Sequence, residues 1–277
     1  MNDYLHEIEQ HPWRTCVDAF IGFSSVFTLV SAINFFVPTV KIQGALPLAA
    51  DTIIGVTYAL WKVRRPSRIE IKPANCNTVI EVVFGDLFKQ EGVRAIPVNE
   101  FFDSKIGNPV SPKSVHGAFI ERVFGGRSES FDKQVDEQLR DVPHHDIKRE
   151  EGKSKQYPIG STALITANQD RYLAFASTRT DPKTCKASAD VAIMWLGMQE
   201  LWRRARIVCN GQPLNVPLVG SGMAGIGLPP RSLVDLMILS VITETKSTEI
   251  TRRIRIVLYG DRFDFPDLRD IAARWGG

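Results

Sequence analysis

Cysteine is scarce in this chain: there are four in 277 residues. They stand apart at Cys16, Cys76, Cys185 and Cys209, with no CxxC and no histidine at ligand spacing. That spacing excludes a disulfide framework and a structural zinc site, and fits free thiols in a reducing cytoplasm. Net charge is small as well, 34 basic against 31 acidic side chains, or +3. Charge of that size supplies no electrostatic footprint for nucleic acid. No internal repeat is present, no GK[ST] ending follows any glycine-rich stretch, and nothing calls for a cofactor or a metal. With 23% charged and 44% hydrophobic residues, the chain is neither disordered nor collagen-like. Its length allows one or two domains of about 100–200 residues each.

Charge is missing most sharply between residues 16 and 61. CVDAFIGFSSVFTLVSAINFFVPTV, residues 16–40, carries only Asp18, and IQGALPLAADTIIGVTYALW, residues 42–61, only Asp51. A membrane-spanning helix needs about 20 mainly apolar residues, and both stretches reach that length. The turn between them holds Pro38, Lys41 and Gly44, which makes the spans antiparallel neighbours. Lys62, Arg64, Arg65 and Arg68 follow the second span, Arg14 precedes the first, and the tip has only Lys41. The positive-inside rule then puts both termini in the cytoplasm of an inner-membrane protein, with Trp13 and Trp61 at the matching interface. The acidic start MNDYLHEIEQH sets the segment apart from a cleaved signal peptide. A helical hairpin buried in a soluble core is the alternative. With the turn centred on Lys41, Asp51 faces Ser31, with Thr28 a turn away. The carboxyl either ties the hairpin together or belongs to a polar face that meets other copies or water.

Residues 1–68 therefore read as a two-helix transmembrane hairpin and residues 69–277 as one soluble unit large enough for its own core. In that unit strands alternate with helices. TVIEVVFGD, RAIPVNEFF, TALITA, RYLAFAST, LNVPLVGSG and RIRIVLYG read as strands. SVHGAFIERVF, ASADVAIMWLGMQELWRRA and PRSLVDLMILSVITETK carry helical apolar stripes. The alternation predicts an α/β fold, a sandwich around a central sheet. Residues 125–158 are strongly polar and interrupt it, with one short amphipathic helix carrying Phe131, Val135 and Leu139. His144–His145 within it read as solvated rather than metal-binding.

One local motif carries chemistry. VPLVGSGMAGIGLPPRSL runs from a buried strand into Gly220, Ser221, Gly222, Met223, Ala224, Gly225, Ile226 and Gly227, then into a helix after Pro229-Pro230. Glycines let backbone N–H groups approach a ligand, and a helix N-terminus favours negative charge, so the segment suits a diphosphate. A second, weaker motif is Gly85-Asp86 at the end of VIEVVFGD, where a carboxylate can accept from an exocyclic amine or a sugar hydroxyl.

Order and spacing of these segments resemble the macro domain, a mixed-sheet, three-layer fold that binds ADP-ribose and its derivatives. The resemblance implies that Asp86 holds the adenine amino group and that Asn99 matches an asparagine of the AVNAAN segment. It further implies that residues 220–227 form the diphosphate loop, and that residues 111–117, with Ser114, His116 and Gly117, stand where a ribose–phosphate loop stands. His116 faces either the ligand or the helix interior. The second asparagine and the triple-glycine loop of the hydrolases are missing: Glu100-Phe101-Phe102-Asp103 and GNPVSPKSVHG stand there. Binding without catalysis is thus expected, with a membrane-anchored ADP-ribosyl hydrolase as the alternative. Behind a membrane hairpin, the domain is similar to the macro-domain effectors of Thoeris-type antiphage systems. That similarity implies an ADP-ribose-derived signal, such as histidine–ADP-ribose, made by a TIR-domain enzyme, and homo-oligomers that disturb membrane lipids.

Overall fold

The computed structural model describes residue 8 and residues 12–276, apart from 38, 40, 41, 43, 64, 75, 223, 224, 247, 261–263 and 266. Lys41 at the expected tip, and Met223 and Ala224 in the glycine loop, thus lie outside the described residues. The chain divides into two compact units, Met1–Pro66 and Ser67–Gly277.

Helices α1 (Pro12–Phe36) and α2 (Ala45–Val63) make up the first unit. The expected spans 16–40 and 42–61 overrun these helices at the tip. Large apolar side chains point outward from both, among them Phe20, Phe27, Leu29 and Phe35 of α1 and Leu46, Ile53, Val56 and Leu60 of α2. The seam between the helices is small and partly polar. A Cβ on Gly55 would stand 2.7 Å from the Ala19 carbonyl oxygen, and one on Gly22 2.9 Å from Tyr58 Cβ, so the backbones touch only because both are glycine. Asp51 is 4% exposed in this unit. Gly55 lies against Ala19 and Phe23, whereas a turn centred on Lys41 would set it against residue 27. The register is thus displaced by between one and two helical turns, and the expected pairing of Asp51 with Ser31 does not hold. Asn34 closes the tip: its Nδ2 donates to the Ile42 carbonyl and its Oδ1 accepts from the Ile42 N–H, both at 2.9 Å. Among the described residues one helical stretch, Thr15–Phe36, is long and apolar enough to cross a membrane.

The second unit is a three-layer α/β/α sandwich. Its strands are β1 (Arg68–Ile71), β2 (Val79–Phe84), β3 (Val93–Asn99), β4 (His145–Asp146), β5 (Lys155–Gln156), β6 (Thr162–Ala167), β7 (Asp170–Thr180), β8 (Ala187–Ser188), β9 (Leu214–Pro217) and β10 (Arg253–Leu258). The central sheet runs β1-β2-β10-β9-β3-β7-β6, with β8 paired to β7. The neighbours β2, β10, β9, β3 and β7 are parallel, and β1 and β6 are antiparallel edges. The helices are α3 (Val115–Phe124), α4 (Glu129–Gln138), α5 (Val191–Val208), α6 (Pro230–Thr245) and α7 (Leu268–Trp275).

Alternation along the strands feeds two apolar layers. Ile80, Val82, Val93, Ala95, Leu173, Phe175, Ile254 and Ile256 turn to one face and pack with α5, α6 and α7. Ile96, Val98, Tyr172, Ala174, Ala176 and Val257 turn to the other and pack with α3 and α4. Trp202 of α5 is fully buried and donates its indole N–H to Ser240 Oγ of α6 at 3.1 Å, which satisfies the one polar atom it brings into the core. Glu81, between Ile80 and Val82, faces the second layer near the β1 edge, where Arg68, Arg253 and Arg255 cover it at 2.6, 2.9 and 3.0 Å. Its neighbour Glu70 is held down to about pKa 2 by hydrogen bonds from Arg253 and Arg68.

The polar segment 125–158 is folded. Phe131 and Val135 of α4, with Leu139 just beyond it, are at most 1% exposed and close the second layer, and β4 and β5 form a small hairpin. His144 and His145 are exposed.

His116, in the first turn of α3, is 6% exposed beside Phe131, with ring centroids 5.8 Å apart. Burial first, and the Lys153 ammonium second, push its imidazole from 6.5 down to about 3. Unfolded chain takes up this proton near pH 6.5 and folded chain only near 3. The neutral ring therefore contributes stability that is complete above that range and is lost as pH falls through it, at up to about 1.4 kcal/mol per pH unit. We expect His116→Phe to flatten the urea-unfolding free energy between about pH 6 and 4. An unchanged slope would assign the acid lability to other groups.

Candidate functional site

Parallel strands place their C-terminal ends on one rim, and ligands of open α/β sheets settle where neighbouring strands send their connections to opposite faces. Here β3 and β9 are adjacent. The chain leaving β3 reaches α3 on one face, and the chain leaving β9 reaches α6 on the other. A cavity of about 230 Å³ opens between the two connections. Its walls are the end of β3, residues 109–114 with the first turn of α3, the end of β7, the start of α5, and residues 218–222 with Ile226 after β9.

Local chemistry shapes each wall. Ser114 caps α3: its Oγ accepts from the Gly117 N–H at 2.9 Å and donates to the Ser111 carbonyl at 2.7 Å. That leaves the Val115 and His116 N–H groups of the first turn without a hydrogen-bond partner among the described residues, and both residues line the cavity. Gly117 serves packing, since a Cβ there would stand 2.2 Å from the Ser111 carbonyl oxygen. After β9, Gly220 takes φ +87, and a Cβ would meet Ile226 Cδ1 at 2.5 Å. The loop bonds to itself, with Gly225 N–H donating to Gly222 O at 3.0 Å and Ile226 N–H to Gly220 O at 3.3 Å. Gly222 is different: a Cβ there meets open space.

A bulge brings in the end of β7. The β3–β7 register shifts between Val98 and Asn99, so Asn99 pairs with Thr178. The extra residue, Ser177, donates its Oγ to the Val98 carbonyl at 3.2 Å. Bulges of this kind re-aim side chains, and Ser177, Thr178 and Asn99 all line the cavity. Among the described lining residues there is no carboxylate, and Lys113 is the one ammonium, so the electrostatics suit an anion. The His116 ring stays neutral near pH 7, and its Nε2 has no hydrogen-bond partner among the described residues.

Of the residues singled out from sequence, Asn99, Ser114, His116, Gly220, Ser221, Gly222 and Ile226 line this cavity. Gly117, Gly225 and Gly227 are not among its lining residues. Gly85 and Asp86 lie farther along the same rim, at the end of β2, where the Gly85 N–H donates to the Leu258 carbonyl of β10 at 2.9 Å. Asp86 is engaged: Oδ1 accepts from the Phe88 N–H at 3.0 Å, and Oδ2 pairs with Arg122 at 2.8 Å. Beside it, at the end of β10, Tyr259 is 74% exposed. Ser177, Thr178, Met194 and Tyr259 escaped the sequence reading, and Lys113 entered it only as part of residues 111–117. Only Tyr259, an aromatic beside a strand-ending glycine, left a signal there.

Asp103 follows Asn99 closely but offers no catalytic base. It is 0% exposed, and both its oxygens accept hydrogen bonds from Asn99, Arg149 and the Lys153 N–H. Among the described residues no group of three or more His, Cys, Asp or Glu side chains could hold a metal ion.

No curated protein matches the chain. Among solved structures, the Oceanobacillus iheyensis macrodomain with ADP superposes with a TM-score of 0.52 at 11% identity, covering 75% of this chain and 98% of that one. A glycine-to-valine mutant of that macrodomain with ADPR gives 0.51 at 11%, covering 75% and 98%. At such identities the likeness is one of fold, and it agrees with the mixed sheet and the three layers. The family described as "Thoeris protein ThsA, Macro domain" matches residues 80–259. With most of the sheet and both walls of the rim cavity inside that match, the chain belongs to the ThsA macro-domain family of Thoeris proteins.

Proposed function

We propose that this chain is a ligand-gated membrane effector of antiphage defence, whose macro domain binds an ADP-ribose-derived signal without consuming it. The observation that carries the reading is the rim cavity between the α3 N-terminus and the glycine loop. Neither the Ser221 nor the Gly222 N–H has a hydrogen-bond partner among the described residues. Together with the first turn of α3 and Lys113, they make a site for phosphoryl oxygens. Small-molecule sites usually hold about 300–1,000 Å³, so a cavity of 230 Å³ takes part of a dinucleotide-sized ligand. The base would lie along the rim, with its amine at Asp86 in place of Arg122 and its ring against Tyr259. The ADP and ADPR held by the structural neighbours have this division into base, diphosphate and sugar. Hydrolysis would need a positioned water and a free base. Asp103, the carboxylate bonded to Asn99, has both oxygens occupied in the interior. Product analysis after incubation tests that alternative.

The first unit supports a membrane role for both helices, because its large apolar side chains face out and its glycines and Asp51 face in. Such a pair is stable where lipid takes the place of water. Lys62 in the last turn of α2 and Arg65 just after it favour cytoplasmic ends at the inner membrane. Two helices cannot enclose a pore, so the gated state is a homo-oligomer. The ligand favours it only by binding it more tightly than the resting form. In this reading a TIR-domain enzyme is the source of the signal, with histidine–ADP-ribose as its leading form, and the Thoeris family match supports that link.

Five outcomes check this reading. Calorimetry of the detergent-solubilised chain with ADP-ribose should show binding with the ligand recovered intact. Gly222→Glu should abolish that binding while the melting curve stays unchanged, since the side chain enters open space and brings a carboxylate to the phosphates. Asp86→Ala should weaken adenine-containing ligands roughly tenfold to a hundredfold, the worth of a charged hydrogen bond. Equal weakening of a ligand lacking the amine would make the role of Asp86 structural. The full chain should also stay with membranes in high salt, and its detergent complex should grow in mass when ADP-ribose is added. Release by salt, or constant mass at saturating ligand, would defeat the membrane-gating half.

A further inference from the structure

A buried ion pair stands behind the cavity wall, and ligand binding as proposed above makes no use of it. Asp103 and Arg149 are 0% and 1% exposed at the side chain and meet at 3.0 Å. Asp103 Oδ1 accepts from Arg149 Nη1 at 3.1 Å and from the Lys153 N–H at 2.7 Å. Its Oδ2 accepts from Arg149 Nη1 at 3.0 Å and from Asn99 Nδ2 at 2.8 Å. In return the Asp103 N–H donates to Asn99 Oδ1 at 3.1 Å. One residue thus holds both ends of the Asn99 amide.

The turn that makes this possible is strained. Phe102 sits at φ 52, in the left-handed region, with its side chain fully buried. Non-glycine residues persist there only when their surroundings over-determine them. The loop 149–153 supplies that determination. Arg149 lies 4.0 Å from the Phe101 ring centroid and donates to the Lys153 carbonyl at 2.9 Å. Gly152, at φ +89, lets the loop close on the carboxylate; a Cβ there would stand 2.5 Å from Asp103 Oδ1. A buried ion pair is weak evidence for stability, because desolvation offsets much of its attraction. A strained turn locked by such a pair beside a cavity is evidence of position control.

We propose that loop 149–153 of the polar segment is the positioning element of the ligand cavity, acting through Asp103 on Asn99. With Oδ1 and one N–H of the amide taken, Asn99 offers its second N–H as a donor of fixed direction. That donor suits an acceptor oxygen of the ligand, a hydroxyl or a phosphoryl group. The proposal rests on the ligand reading given above.

The test is a double-mutant cycle on the full chain in detergent, with ADP-ribose titrated by calorimetry and folding checked by thermal melt. Asp103→Asn keeps the shape and removes the charge. It should weaken ADP-ribose about tenfold in the parent and less than about twofold in an Asn99→Ala background. Equal weakening in both backgrounds, or none in the parent, overturns the positioning role. Failure of the unmodified protein to bind ADP-ribose would instead sink the ligand reading. A ligand-free measurement then decides on positioning by itself. In protein labelled with 15N-asparagine, the Asn99 side-chain amide pair, identified by its loss in Asn99→Ala, should be single in the parent and in Arg149→Lys. It should split or broaden in Arg149→Gln, a change that touches no atom of Asn99. A sharp, unmoved pair in Arg149→Gln overturns the proposal.

Discussion

Two adjacent parallel strands, β3 and β9, send their chains to opposite faces of one sheet, and the site descends from that divergence. Neither connection can cross the gap, so the rim stays open between them. Each wall must then approach the opening with bare backbone. Gly117 lets the loop 109–114 lie on the first turn of α3, and Gly220 lets the chain leave β9 in a left-handed turn under Ile226. Side chains at these positions would collide with Ser111 and Pro112 on one wall and with Ile226 and Leu233 on the other. The glycines at 222 and 225 do different work: neither meets a close steric limit, so their value lies in what they leave empty.

The first unit obeys the opposite rule from the second. Ser67–Gly277 hides its apolar residues in two layers, whereas Met1–Pro66 keeps glycine and a carboxylate between its helices and turns phenylalanine and leucine outward. Water makes the first arrangement stable, and the second is the one that the proposed membrane role calls for. The chain passes from one regime to the other within a few residues. Ser67, where the second unit begins, accepts the Phe84 N–H at 2.9 Å, two residues before Asp86. Arg68 then pairs with the buried Glu81. The strand that follows the hairpin is thus tied to the strand that ends at the rim.

Much of the soluble fold was legible because its signals are local. Alternating β2, β3, β7 and β10, the stripes of α3, α5 and α6, and the run from Gly220 to Gly227 can each be read within about 20 residues. Signals that depend on partners far along the chain could not be read. RIEI is too short to announce β1, and only pairing with β2 defines it. Ser177 and Thr178 reach the cavity through a bulge against β3, and no property of ASTRT records that bulge. The hairpin register went astray because counting from Lys41 assumes helices that end symmetrically. The glycine contact at Gly22 and Gly55 sets the register instead.

Residues 125–158 show how composition misleads about role. Their charge suggests a solvated excursion, yet Arg149 is among the most deeply buried cations in the chain, with a side chain 1% exposed. A guanidinium is placed there only against a carboxylate with matching geometry. That carboxylate, Asp103, would be the natural candidate for a base if sequence proximity to Asn99 were all that counted. Pairing removes it from that chemistry, because an oxygen that already accepts two hydrogen bonds in a dry interior has no orientation left for a water. The same pairing fixes the asparagine beside it. In the proposed reading that rigidity serves a receptor, because ligand free energy then shifts an equilibrium rather than ordering a loop.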